Sequence, residues 1–580
     1  MDLVKAVQNY LSKITSDVSG MKVLLVDKET TPIISVVYTQ TQLLQKEIYL
    51  VDRIENRQRE KMKHLKCIAF LRPNQLSIQH LTEELRDPCF GDYHIYFTNT
   101  VQKSSIERLA ESDVHEVIRE VQEYFADFVS VNNNLFSLNV NYPDYSLFIE
   151  SPKAWDPNTL TRVTEGVVSV LLALKKKPLI RFENNSALAR KLAAEVTYSI
   201  QNEGPLFDFR KPDTPPILLI LDRRNDPITP LLNQWTYQAM IHEMLGITNG
   251  RVDLSSVKDI RPEMKEIVLS ADQDEFYKQN QYLNLGDLGS NIKSYVDEFQ
   301  NKHHSTSKIE SINDMKRFVE DYPEFRKLSG NVSKHVTLVG ELSKRIASSR
   351  LLEVGELEQS LAVANNHSAD SKLVQQFLTD PNISVTQKMR LFILYALRYE
   401  KTPSNLISLF VKSLESQGIP GRSILAVEEV LKYAGADVRM EPILQGDDLL
   451  GITKNVFKGL KGVENVYTQH TPRLVTVIQD AIKGKLKDTN YPFYEGSTKD
   501  KPQDIIVFVI GGATYAEALH ISQLNFSNPN VRIILGGTTI HNSTSFLKEV
   551  SESVSKFTND GKDTTPLQTS NRDVQRTAPF

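Results

Sequence analysis

The chain has 580 residues, 68 Lys+Arg against 72 Asp+Glu, and a formal net charge of −4. At roughly 150 residues per domain, that length suggests about three or four domains. The near-neutral balance argues against a general nucleic-acid binder, and only two cysteines, Cys67 and Cys89, exclude a disulfide scaffold or a Cys-rich zinc module.

Leu3, Val4, Val7, Leu11 and Ile14 recur at helical spacing, so the first residues read as an amphipathic helix rather than a signal peptide. KVLLVD (22–27) reads as a short buried strand. Pro32 suits the first turn of the helix that follows, with Thr30 or Thr31 as its cap. EIYLVD (47–52), KCIAFL (66–71) and YHIYFT (93–98) read as further strands, and residues 74–86 and 104–128 as helices. Strands separated by helices predict βαβ units and a parallel sheet. From about 131 the pattern continues with a helix at 158–175, a strand at 178–182, a helix at 186–201 and a strand at 215–221. The same alternation returns at DIIVFVIGG (504–512) and VRIILGG (531–537). Between 250 and 480 strand signals are few and helical patterns many, as at 391–399 and 424–433. This predicts an α/β unit interrupted by a mostly helical insertion.

Within the insertion, residues 283–350 are polar and carry both charge signs. Loop signals at 284–290 (Gly286, Gly289) and 303–307 predict a protruding helical hairpin. From about 556 onward the chain is poor in apolar residues, so 561–580 is expected to be a disordered tail. The longest apolar runs, 216–221 and 505–510, fall far short of the ~20 residues that span a bilayer. The protein is therefore expected in the cytosol, reaching membranes through a partner.

Catalytic signatures fail one by one. His242-Glu243 begins an HExxH, but position 246 is Gly; His303-His304 has no matching ligands; no GxSxG occurs. Gly511-Gly512 and Gly536-Gly537 end strands where α/β folds bind phosphates, but neither extends to GxGxxG or to a P-loop. They suit tight turns and close packing. The segment LDRRNDPITPLL (221–232) is the densest charged cluster at a strand end. Its Asp222 and Asp226 suit acceptors for Arg223 or loop amides and caps for a helix beginning near Pro227. From the residues alone, the glycine pairs leave a nucleotide-binding α/β enzyme open, and the length leaves open a scaffold subunit of a tethering complex.

Residues 221–247 nevertheless resemble the hallmark segment of the SM (Sec/Munc) proteins, regulators of SNARE assembly, with Asp222, Arg223, Asp226, Pro230 and Trp235 as its structural core. KVLLVDKETTPIISVV (22–37), YTQHTPRL (467–474), VFVIGGATYAEALHI (507–521) and IILGGTTIHNSTSFL (533–547) resemble further blocks of that family, in order along almost the whole chain. Residues 47–67 and LLNQWTYQAM (231–240) resemble most the branch that serves the syntaxin of the late Golgi and endosomes.

The resemblance implies a three-domain α/β arch without catalytic activity or cofactor. Domain one would be 1–130; domain two would be 131–249 and 481–560; domain three would be the helical insertion, 250–480. It implies a syntaxin-type Qa-SNARE and its SNARE complex as partners, a monomer, no nucleic acid, and a peripheral place on Golgi, endosomal or vacuolar membranes. Two surfaces carry over. An apolar pocket for the syntaxin N-terminal peptide would lie between helices at 104–113 and 114–125, with Ile106, Leu109 and Ala110 on one wall and Val117, Ile118 and Val121 on the other. The spacing of these six is also that of an ordinary core face. A SNARE-templating hairpin would use Pro323 to break a helix and hold it bent, with Phe318, Phe325, Leu328 and Val332 offered to a partner helix. The basic run Arg53, Arg57, Arg59, Lys61, Lys63 and Lys66 would either face acidic syntaxin helices or form a solvated helix face.

Overall fold

The computed structural model describes residues 1–258, 260–306, 312–364, 366–442 and 467–557, over 301–306 and 312–327 as backbone alone. The expected tail at 561–580 lies outside the described residues. An amphipathic first helix, α1 (Leu3–Asp17), buries Leu3, Val4, Val7, Leu11 and Ile14, and the Asp2 carboxylate caps it by accepting from Lys5 N. A five-stranded parallel sheet follows. Its strands are β1 (Lys22–Val26), β2 (Ile48–Arg53), β3 (Met62–Leu71), β4 (Phe90–Phe97) and β5 (Ile118–Glu123), in the order β2-β1-β3-β4-β5. The connecting helices are α2 (Thr30–Val37), α3 (Gln40–Gln45), α4 (Gln75–Arg86) and α5 (Lys103–Ser112).

A short antiparallel pair, β6 (Val129–Asn132) and β7 (Leu135–Ser137), opens a second sheet. Helix α6 (Pro157–Ala173), strand β8 (Leu179–Phe182), helix α7 (Ala187–Asn202), strand β9 (Ile217–Asp222) and helix α8 (Tyr237–Met244) come next. The chain then departs into a small antiparallel ribbon, β10 (Arg251–Asp253) with β11 (Glu266–Val268), and a helical stretch. That stretch holds α9 (Glu275–Asn280), α10 (Leu285–Thr306), α11 (Ile312–Ser348), α12 (Leu351–Val363), α13 (His367–Thr379), α14 (Val385–Tyr399), α15 (Ile407–Ser416), α16 (Gly421–Ala434) and α17 (Arg473–Lys483). It returns through β12 (Asp504–Ile510), α18 (Tyr515–Ser527), β13 (Arg532–Gly537) and α19 (Ser543–Lys556). Strand β12 lies between β9 and β13, giving the order β6-β7-β13-β12-β9-β8. The uninterrupted apolar runs now have a reason. In β12, Ile505, Val507 and Val509 enter one core while Ile506, Phe508 and Ile510 enter the other, as a strand covered on both faces requires.

The two sheets meet through buried charge. At the carboxyl end of β1, Asp27 accepts from Thr30 N at 2.7 Å, Arg72 N at 2.7 Å and Ser77 Oγ at 2.8 Å. Arg72, at the end of β3, donates to Asp127 at 3.2 Å and pairs with Glu165 of α6. Arg162 of α6 donates to Asp127 at 3.2 Å as well, as does Asn99 at the end of β4.

Several expectations need correction. The α2 cap is neither Thr30 nor Thr31: the helix starts at Thr30, whose amide is held by the Asp27 carboxylate. Residues 104–128 are not one long helical stretch. Helix α5 ends at Ser112 and the chain turns into strand β5, with Glu116 in the left-handed region (φ +52°). Gly286 and Gly289 sit inside α10 rather than in a loop, because the Asn284 side chain accepts from Gly286 N and Asp287 N and starts the helix there. His303 and Ser305 fall in the same helix. Helix α11 runs through Pro323 unbroken, so this proline does not end a helix here. No helix begins at Pro227; a single 3-10 turn, Thr229–Leu231, precedes α8. The basic run spans the β2–β3 connection and β3 rather than a helix face, and Arg57, Arg59 and Lys61 pair with Glu83, Glu84 and Asp87 of the α4 region.

Candidate functional site

Three surfaces are candidates for a functional site. The first is the open edge of the five-stranded sheet. Helix α5 is anchored by Leu109, 1% exposed in the core with Phe97 and Leu81. Leu109 is therefore a core residue and not a pocket wall. Close to it on the same helix, Ile106 (41% exposed) and Ala110 stay open. The Asp113 carboxylate accepts from Val117 N at 2.8 Å and Ile118 N at 3.0 Å, and so reverses the chain into β5. Among the described strands β5 pairs with β4 only, leaving its other edge free. A register shift pairs Tyr93 with Ile118 and His94 with Glu120, then Ile95 with Val121. Tyr93 and Ile95 both face the core beneath α4 and α5, so the shift brings Ile118 and Val121 to that same face. Val117 and Ile118 are half-buried against this core, while Val121 is 37% exposed. Ile106 and Ala110 are thus exposed on α5, Val121 is exposed and Ile118 half-buried on the free-edged strand β5, and Leu109 is drawn inward. On the opposite face of β5, Glu120 accepts from His94 Nδ1 at 2.7 Å and Tyr96 Oη at 2.5 Å. Burial pushes the Glu120 carboxyl up, but the hydrogen bonds from Tyr96 and His94 outweigh it and hold the group below its usual range.

The second surface is the helical pair α10 and α11, whose base is locked. Tyr237 Oη meets His335 Nδ1 at 2.8 Å, and His335 Nε2 meets Asp274 at 2.8 Å. Lys334 pairs with the same carboxylate, and Phe276 stacks on Tyr295 of α10 with centroids 4.5 Å apart. Burial lowers the His335 pKa. Burial pushes the Asp274 carboxyl the other way, upward, but His335 and Lys334 outweigh it and hold the group far below its usual range. Val332 is buried here and Leu328 half-buried, so Val332 is not free for a partner in this state. Phe318, Pro323 and Phe325 lie on α11, where only the backbone is described.

The third is a cleft of about 580 Å³ between the start of α2, the end of β2 and residues 245–266. Lys28, Arg53 and Arg251 line it together with Asp253 and Glu266, around Pro32 and Leu245. Nothing in the linear pattern signals it, because its walls come from segments distant in sequence.

The 221–235 segment is a structural junction. Arg223, 1% exposed, donates to Gly512 O at 3.0 and 2.9 Å and to Glu517 of α18 at 2.8 and 2.6 Å. Its partner is thus Glu517 and not Asp222, which pairs with Arg224 at 2.6 Å and accepts from Ser186 Oγ at 2.5 Å. Asp226 accepts from Thr229 N, Thr229 Oγ1 and Arg473 N, binding the turn to α17. Pro230 is buried in that turn, and the Trp235 ring lies so close to Gly355 of α12 that a Cβ there would come within 2.7 Å. The glycine pairs serve packing likewise. Gly511 and Gly512 hold φ of +80° and +86°, and a Cβ on Gly536 would stand 2.0 Å from the Phe136 ring. His242 is buried, accepts from Ile247 N, and has its pKa lowered to about 4 by burial. Among the described residues no cluster of three or more His, Cys, Asp or Glu is placed to hold a metal ion, and no helix is long and apolar enough to cross a membrane.

The chain as a whole has close counterparts. The mouse Vacuolar protein sorting-associated protein 45 is 51% identical over 553 residues, covering 95% of this chain and 96% of its own. The Saccharomyces cerevisiae protein of the same name is 40% identical, over 95% and 99% of the two chains. A solved SM protein Vps45 in complex with the Qa SNARE Tlg2 superposes with a TM-score of 0.91 at 52% identity, covering 97% of this chain and all of that one. The Unc18–syntaxin 1 complex from Monosiga brevicollis shares the fold at TM-score 0.76 and 20% identity. A family model, Sec1, matches residues 22–549, and the chain therefore belongs to the Sec1 family of SM proteins.

Proposed function

We propose that this chain binds a syntaxin-type Qa-SNARE of the late Golgi and endosomal system and chaperones its assembly into a fusion-competent SNARE complex, without catalysing a reaction. The observation that supports this reading most is the likeness, over 97% of the chain, to a Vps45 solved with the Qa SNARE Tlg2. In this reading the chain works as three units, 1–130, 131–249 with 481–560, and 250–480, and it is peripheral on Golgi, endosomal or vacuolar membranes. The apolar edge at Ile106, Ala110, Ile118 and Val121 receives an apolar anchor of the SNARE N-terminal peptide. Burying one Leu or Phe side chain there contributes about 2 kcal/mol. Tethering by that peptide raises the local concentration of the SNARE helices near the rest of the protein. The α10–α11 pair then favours one SNARE conformation by binding it more tightly than the other.

The test is titration calorimetry of the isolated N-terminal peptide of the cognate Qa-SNARE against Ile106→Arg and Val121→Arg. Both side chains are exposed, so the variants should fold. We expect at least about tenfold weaker binding, the size of a lost apolar anchor. Unchanged affinity in both variants would remove this edge from the binding site.

A further inference from the structure

The N-terminal ends of the parallel strands in the second sheet form a single edge, because β13, β12, β9 and β8 begin side by side: Asp504 is in register with Arg532, Ile505 with Ile217, and Ile217 with Leu179. At about 4.8 Å per strand, the edge runs roughly 15 Å from β8 to β13. The segments that enter the strands bring cations to it from distant parts of the sequence. Lys175 and Lys177 precede β8; Arg210 and Lys211 precede β9; Lys499 and Lys501 precede β12, and all six are exposed. Lys485 joins them, since the neighbouring Gly484 packs at the Lys501 side chain. The acidic groups near the same edge are Asp208, Asp213, Glu495, Asp500 and Asp2, the last beside Asp504 and Arg532, so seven cations stand against five carboxylates on a chain whose net charge is −4. A further acid at the strand starts, Asp504, is already matched twice, by Lys176 at 2.7 Å and by Arg532 at 2.6 Å.

One exposed apolar side chain lies at the β13 end of this edge. Helix α18 descends to this edge, and Asn525 fixes its end by bonding both Ile533 N and Ile533 O of β13. The next residue, Phe526, is 88% exposed, the most exposed of the large hydrophobic residues described. At that exposure the ring adds almost nothing to the core. An acidic peptide needs a groove to be held in register. Exposed cations drawn from separate segments, with one projecting ring on the same edge, instead fit a fluid anionic surface, which needs no register, takes the ring below its headgroups and draws the cations to its charge.

We propose that this edge is a direct docking surface for anionic lipid bilayers, with Phe526 as the inserted group. It adds a weak membrane contact of the chain's own to the one made through a SNARE. The contact stands independently of the SNARE-binding reading, since none of its residues belongs to the surfaces described above.

The test is sedimentation of the full chain with vesicles of phosphatidylcholine alone or mixed with phosphatidylserine. Each cation near an anionic surface strengthens binding roughly fivefold. Wild type should pellet with the phosphatidylserine vesicles, lose this as salt rises, and ignore phosphatidylcholine. The variant Lys175→Glu/Lys177→Glu/Lys499→Glu/Lys501→Glu should bind at least about tenfold more weakly. Phe526→Trp supplies a local probe, because the two native tryptophans are buried at 6% exposure; its emission should shift to the blue on the anionic vesicles. Failure to pellet, equal binding to both vesicle types, or charge-reversed protein that pellets like wild type would overturn the proposal. So would an emission of the Phe526→Trp variant that stays put while a soluble acidic peptide competes, since the surface would then serve a protein. All five positions are exposed, and matched melting curves distinguish lost binding from lost folding.

Discussion

Arg223 shows what a single residue does in this protein. It is among the largest fully buried side chains, and its guanidinium spans from the end of β9 to Gly512 and Glu517. Removing one partner of such a pair strands the other charge in the core, which costs about 3–5 kcal/mol, whereas replacing both with apolar groups of similar size is far milder. We expect Arg223→Ala to lower the melting temperature sharply and Arg223→Met/Glu517→Leu to recover much of the loss, both read by circular dichroism. A double variant no better than the single would mean that Gly512 O, not Glu517, is the essential acceptor. The sequence exposes Arg223 as part of a charged cluster but not its partner. Asp222 and Asp226 stand close by in the chain, whereas Glu517 is 294 positions distant. No local spacing can report a contact made only when β12 enters the sheet beside β9.

At the scale of elements, most of the regular segments are legible in the sequence and the edge strand β5 is not. Helices α1, α6, α7, α14 and α16 and strands β1–β4, β8, β9, β12 and β13 follow their apolar periodicity. Strand β5 does not, because Val117 and Val121 sit four apart and imitate a helical face, while the bulge at Arg119 breaks the strict alternation that would mark a strand. Tertiary context decides it: β4 offers a partner edge, and Asp113 ends the helix before the pattern can continue. The candidate peptide site suffers from the same confusion: the resemblance puts Leu109 in a wall, its spacing suits a core face as well, and the fold puts it in the core. Helices α10 and α11 pose a dynamic question instead. Their base depends on His335, held between Tyr237 and Asp274. Replacing His335 with Ala removes both bonds, strips the Tyr237 hydroxyl of that partner and leaves the Asp274 carboxylate to Lys334 and Tyr277 N. Hydrogen exchange should then accelerate by about tenfold or more over Val332–Leu342 and little in the sheets. Uniform acceleration across the chain would show that this latch supports the whole fold rather than the pair.

For the whole molecule, the helical insertion is tied to the second sheet by a polar knot around Glu358 of α12. Its carboxylate accepts from Asn233 N at 2.8 Å and Asn233 Nδ2 at 3.0 Å. Arg390 of α14 lies beside it and reaches on to Glu243 of α8 and Ser543 of α19. Burial raises the Glu358 pKa from 4.5 to about 7, and burial raises that of Glu183 equally far. The folded state therefore keeps these protons over a range in which the unfolded chain releases them, so stability is lost as pH rises from about 4.5 to about 7 and is level above it. We expect thermal melting to show that decline, on the order of 3 kcal/mol per group at most. Glu358→Gln should reduce the slope and leave the part due to Glu183. A slope unchanged by the substitution would place the titration elsewhere.

The joint between the sheets has a wider consequence. In a doubly wound sheet of order β2-β1-β3-β4-β5, ligands sit beyond the carboxyl ends of β1 and β3, where the connections diverge to opposite sides. In this protein that crevice is filled by the Asp127 carboxylate, gripped by Arg72, Arg162 and Asn99 much as a dehydrogenase or a kinase would grip an anion. The first unit has in effect filled its socket with its own Asp127, and Arg162 of the second unit closes over it. A socket suited to exchange has become a rivet, and a pull on either sheet by a bound partner is delivered to the other through Asp127 instead of being absorbed at a hinge.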